Sequence, residues 1–72
     1  MKVYDSVMFG QAIKLRRKEM KYTQRDISEL TGFSISFISD LENGKSTAEI
    51  GKAIYISNVL GLDIEINSRG SR

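Results

Sequence analysis

The stretch that most limits how this chain can fold spans residues 23–45, T-Q-R-D-I-S-E-L-T-G-F-S-I-S-F-I-S-D-L-E-N-G-K, where Gly32 separates two short helical patterns. Thr23 has the character of an N-cap, and Asp26 follows three residues later, a capping-box spacing with Asp in place of Glu or Gln. Tyr22 before the cap and Ile27 within the helix have the spacing of a hydrophobic staple, which sets the angle at which the chain enters. Gly32 ends this helix, because the left-handed conformation of a helix stop is strain-free only without a Cβ. Ser34 caps the next helix, Phe33 and Ile38 repeat the staple, and Asn43-Gly44 stops it. Two helices of about eight residues around one glycine are the sequence form of a helix-turn-helix.

The residues that build this pattern also carry a family resemblance. The run T-Q-R-D-I, then Gly32, then S-I-S-F-I-S-D-L-E-N-G-K resembles the helix-turn-helix of the Cro/repressor (Xre) superfamily, over roughly residues 9–61. Within it, T-A-E-I-G-K-A-I followed by V-L-G-L-D-I-E-I resembles the HipB-like antitoxins. The resemblance implies an all-α, lambda-repressor-like bundle of four or five helices. It also implies a dimeric repressor on a palindromic double-stranded operator, and a HipA-like kinase toxin as partner. Two neighbouring readings stay open: a stand-alone phage-type repressor or restriction–modification controller, and an interaction module that has lost DNA binding.

Seventy-two residues make a single domain, 1–72, whose core is marginal at this size. There is no cysteine and no histidine, so neither a disulfide nor a zinc site can staple it, and no cofactor is expected. Oligomerisation is the remaining way to bury more surface. No apolar run approaches the ~20 residues of a membrane helix, and no signal-peptide core is present. The expected compartment is the cytoplasm, on the nucleoid through DNA. Catalysis is not expected, since no nucleophile–base set or phosphate-cradling glycine loop exists. Lys14, Arg16, Arg17, Lys18, Lys21 and Arg25 crowd into twelve residues. Such a cluster is either a solvated face or, beside a helix-turn-helix, a phosphate-facing patch.

In chain order, Asp5 or Ser6 caps a first helix that runs to about Met20, opening a helical core over 6–61. Phe9, Ala12, Ile13 and Met20 form its apolar stripe, with Arg16 inside the stripe and Arg17 at its edge. Family resemblance pairs Arg17 with Glu42; the alternative leaves both exposed. Ile27, Leu30, Phe33, Ile38 and Leu41 are expected in the core, with Phe37 either core or groove edge. Ser46 and Glu49 form an S-x-x-E capping box for a fourth helix that ends at Gly61. Its core face is read as Ile50, Ala53, Ile54, Ser57 and Leu60. Tyr55 and Val59, on its other side, are either simply exposed or cover a partner.

Residues 62–67, L-D-I-E-I-N, alternate with period two, a β-strand pattern whose solvent-facing half is Asp63 and Glu65. One strand leaves its ladder groups unpaired; residues 1–4 are a short, weakly patterned alternative within the chain, and the better partner is the same strand of a second subunit about a two-fold axis. Ile64 and Ile66 then cover a surface of the partner that includes Tyr55, Val59 or Leu15. Residues 68–72 read as a mobile end.

The second helix of the pair is expected in the major groove. The resemblance implies Ile35, Ser36 and Asp40 as base-reading positions, with Ser39 alongside. Ile35 suits a thymine methyl, Ser36 donates or accepts, and Asp40 either accepts from a cytosine amino group or turns away from the groove. Arg, Asn and Gln are absent from these four positions, so discrimination must lean on dimer spacing, DNA deformability and water. Gln24, Arg25, Ser34, Asn43 and Lys45 are the expected phosphate contacts. Binding to duplex is therefore expected to weaken steeply with salt. Log affinity against log salt should fall by several units of slope, at about 0.9 per neutralised phosphate. A flat response in a salt-titrated binding assay would count against the whole arrangement.

Overall fold

The first helix begins where Asp5, in extended backbone, turns its carboxylate to accept from the Met8 amide at 2.8 Å. In the computed structural model, which describes residues 1–70, four helices follow one another: α1 (Ser6–Glu19), α2 (Gln24–Thr31), α3 (Ile35–Glu42) and α4 (Ile50–Val59). The α2 start carries a complete capping box. Thr23 accepts from the Asp26 amide at 3.0 Å, and Asp26 accepts from the Thr23 amide at 2.8 Å. Gly32 closes α2 at φ 78°, in the left-handed conformation.

The core is Ile13 of α1, Ile27 of α2, Ile38 and Leu41 of α3, and Ala53, Ile56 and Leu60 from the α4 end. Phe9, Met20, Tyr22, Phe33, Phe37 and Leu62 pack around it, half-buried. Two core expectations are corrected. Leu30 is 55 % exposed, because the inward side of α2 runs through Gln24, Ile27, Ser28 and Thr31 and leaves Leu30 at its edge. On α4 the buried residues are Ala53, Ile56, Ser57 and Leu60, an i, i+3, i+4, i+7 stripe, while Ile50 and Ile54 face out. The Ser57 hydroxyl donates to the Ala53 carbonyl at 3.0 Å, which satisfies it in a buried position. The expected Ser46–Glu49 capping box is also corrected. Ser46 lies in a turn, and Glu49 stands at the N-cap without a side-chain bond to the helix.

Residues 62–67 continue from α4 with Ile64 and Ile66 exposed. No β-ladder forms among the described residues, neither within this segment nor with residues 1–4, so the expected strand is not paired in one copy of the chain. Of the end expected to be mobile, Ser71 and Arg72 lie outside the described residues, while the Arg69 guanidinium lies over the Tyr4 ring at 5.7 Å.

Close approach of α1 to α3 depends on Gly10. A Cβ there would collide with the Leu41 carbonyl oxygen and stand 2.7 Å from that of Glu42, both rigid backbone. Gly10→Ala is expected to destabilise the fold by about 3 kcal/mol, the upper end for overpacking. Gly51→Ala, where nothing lies within 4 Å, is expected to stabilise it by about 0.5 kcal/mol. Urea denaturation of the two variants tests both signs.

Candidate nucleic-acid interface

Local bonding sets the turn that aims α3. The Ser28 hydroxyl donates to the Phe33 carbonyl at 2.6 Å, and the Thr31 hydroxyl donates to the Ile27 carbonyl at 2.7 Å while accepting from the Phe33 amide at 3.1 Å. Ser34 then caps α3 by accepting from the Phe37 amide at 3.0 Å. With Ile38 and Leu41 buried, the opposite side of α3 faces out. Ser34, Ile35 and Ser36 are exposed, and Ser39 and Asp40 are half-buried.

Phe33 and Phe37 brace the start of α3 from behind. Phe33 meets Phe37 and Tyr55 edge-on, each pair with ring centroids 5.8 Å apart, and the Lys52 ammonium lies 5.3 Å from both phenylalanine rings. Phe37 is thus half-buried packing, and Tyr55 already has an intramolecular neighbour on one edge. Val59 is half-buried. The role of Lys52 had no periodic signal in the sequence, since it depends on α4 meeting the turn before α3 and the first turn of α3 in space.

The far end of α3 is tied to α1 and α2 through one carboxylate. Arg17 Nε donates to Glu42 Oε2 at 2.6 Å and Arg17 Nη2 donates to Oε1 at 2.9 Å, a two-pronged pair buried on both sides. Arg17 Nη1 also donates to the Tyr22 carbonyl at 2.9 Å. Hydrogen bonding to Glu42 raises the Arg17 guanidinium above its ordinary pKa, outweighing the opposite effect of burial. Gln24 Nε2 donates to Glu42 Oε1 at 3.1 Å, so the first side chain of α2 is held by the same group.

The remaining expected contact residues divide between the two ends of this assembly. Arg25 is exposed in the first turn of α2. Asn43 is exposed at the end of α3, and Lys45 beyond it pairs with Asp40 at 3.4 Å across open surface. The loop that carries them is anchored to α1, because the Ser6 hydroxyl donates to the Gly44 carbonyl at 2.8 Å. On the tail, Ile66 is almost fully exposed and Ile64 about half exposed.

Residues 10–65 match a helix-turn-helix domain family, well over half of the chain. The chain belongs to that family. Its type is the Cro/repressor (Xre) one that the motif resembles. It is 38 % identical over 63 residues to an uncharacterised HTH-type transcriptional regulator, y4mF, of Sinorhizobium fredii, covering 88 % of this chain and 83 % of that protein. It is 29 % identical over 62 residues to the ImmF control region 10 kDa protein of Bacillus phage phi105, covering 86 % and 69 %. The fold superposes on a HipB–O4 20mer complex and on a HipA–HipB–O2–O3 complex with TM-score 0.87 in each case. Both are 23 % identical, covering 97 % of this chain and 99 % of theirs. This helix-turn-helix protein is thus a DNA-binding regulator by family, not an enzyme. No helix among its described residues is long and apolar enough to cross a membrane.

Removing one member of the buried pair strands the other. Glu42→Ala is expected to lower stability by about 3–5 kcal/mol, leaving Arg17 without its partner. Lys45→Ala is expected to cost under about 1 kcal/mol, since its exposed pair with Asp40 contributes little. Chemical denaturation of the two variants distinguishes these outcomes.

Proposed function

We propose that the chain is a sequence-specific repressor that binds a palindromic operator as a homodimer and is the antitoxin of a HipB/HipA-like pair. The observation that carries the DNA-reading part is the uncovered outer side of α3, flanked by the starts of α2 and α3 and by the 43–45 loop. In this reading Ile35, Ser36, Ser39 and Asp40 face base edges. Gln24, Arg25, Ser34, Asn43 and Lys45 hold phosphates on either side. Docking exchanges the Asp40–Lys45 pair for DNA partners, a small loss because that pair is half exposed. Asp40, once released, favours a cytosine amino group and penalises other bases by leaving its carboxylate unpaired.

Dimerisation is assigned to residues 62–67, with Ile64 and Ile66 laid against Tyr55 and Val59 of a second copy. The support is the period-two pattern together with the exposure of both isoleucines in one copy. A HipA-like kinase partner is supported by the likeness of fold to a HipB solved with HipA and DNA. The likeness to a phage control-region protein favours a second reading, a stand-alone regulator without a toxin. Co-purification separates them: a partner roughly four times larger or more eluting with the chain supports the antitoxin, and its absence supports the stand-alone regulator.

Selection of bound duplexes from a random pool tests the main proposal. A recovered palindrome is expected, and Gln24→Ala and Lys45→Ala are expected to weaken binding to all sequences alike. Recovery of unrelated sequences with no two-fold symmetry would remove the palindromic dimer.

A further inference from the structure

Each of the four helices among the described residues is followed or closed by a left-handed residue, and three of the four use glycine. Gly32 at φ 78° closes α2, Gly44 at φ 83° follows α3, and Gly61 at φ 70° follows α4. After α1 the same position is held by Lys21 at φ 62°, the single non-glycine residue with positive φ among the described residues. The backbone bonding does not explain a lysine. Lys21 N–H donates to the Lys18 carbonyl at 2.9 Å and Tyr22 N–H to that of Arg17 at 3.0 Å. The same two bonds close α3 through Gly44 and Lys45, and α4 through Gly61 and Leu62. A Cβ in this conformation is strained, so by backbone criteria alone glycine is the better residue.

We propose that Lys21 is retained for its ammonium, as a phosphate contact that flanks the start of α2 and extends the footprint on duplex DNA. This rests on the DNA-binding reading above. Lys21 is exposed, and the ion pairs among the described residues leave Lys14, Lys18, Lys21 and Arg25 without an acidic partner within 4 Å. No side-chain ion pair among the described residues therefore uses its charge. Lys14 and Lys18 lie one turn apart on α1, Lys21 follows just beyond the end of that helix, and Arg25 lies in the first turn of α2, all four exposed. The corner is also rigid. Arg17 grips the Tyr22 carbonyl one residue on, and Arg17 is itself locked to Glu42, which holds Gln24. A lysine whose backbone is held two residues before the Thr23 cap can reach a row of phosphates without further ordering of the backbone.

The structural alternative is that Lys21 serves the fold, through attraction to the carbonyl end of α1. The two accounts predict opposite stability changes for Lys21→Gly. In the full chain, that variant is expected to melt roughly 2–5 °C higher. It should bind a labelled mixed-sequence duplex about three- to tenfold more weakly, with a salt slope shallower by about 0.9 per engaged protomer. Lys21→Gln is expected to weaken binding equally without the gain in melting temperature, and Lys21→Arg to keep the wild-type slope. Wild-type binding together with unchanged slopes for the Gly and Gln variants would overturn the proposal and leave the DNA-binding reading standing. A lower melting temperature for Lys21→Gly would overturn the claim that the lysine opposes the fold. Failure of the wild type to bind at low salt would remove both readings.

Discussion

Glu42 is the point at which three helices are held to one geometry. A carboxylate buried to this degree is tolerable only if its acceptor capacity is filled, and here Arg17 fills it from α1 and Gln24 from α2. The consequence reaches the surface. The start of α2, the end of α3 and the corner after α1 keep a fixed relation, although the apolar core is only seven buried side chains. In a small domain with no disulfide, such a bonded network supplies specificity of arrangement that a few isoleucines cannot.

Two of the proposed phosphate contacts already have partners within the chain. Gln24 rests on Glu42 and Lys45 rests on Asp40, so two side chains assigned to phosphates have intramolecular partners meanwhile. The two resting contacts differ in kind. The Lys45–Asp40 pair is exposed at both ends and easily exchanged, whereas Gln24 leans on a carboxylate whose other bonds are buried. In the proposed reading Lys45 is the adaptable phosphate contact and Gln24 the pre-set one.

How much of this was legible in the chain varies by residue. The caps at Thr23 and Ser34 and the stop at Gly32 were readable, because each depends on bonds between neighbours in sequence. The α4 face was misread. Its apolar residues include Ile50, Ile54 and Ile56 in one short helix, and hydropathy alone cannot choose which isoleucine meets the core. Leu30 failed for the same reason, since what covers a helix edge is another helix. Gly10 left no signal, because a glycine inside a helix reads as a weakness until the crossing backbone of α3 is seen. Lys21 gave only the signal of a charge cluster; its left-handed backbone is a property of the turn.

The sequence by itself therefore determined the helix starts and stops, the glycine elbow, and the family to which they point, all of them consequences of backbone bonding within a few residues. The tertiary structure alone decided which side of α4 is buried, where Gly10 must stay bare, and that Gln24 and Glu42 share a bond. Those outcomes depend on which surfaces meet across long separations in the chain, and the apolar pattern permits more than one such meeting.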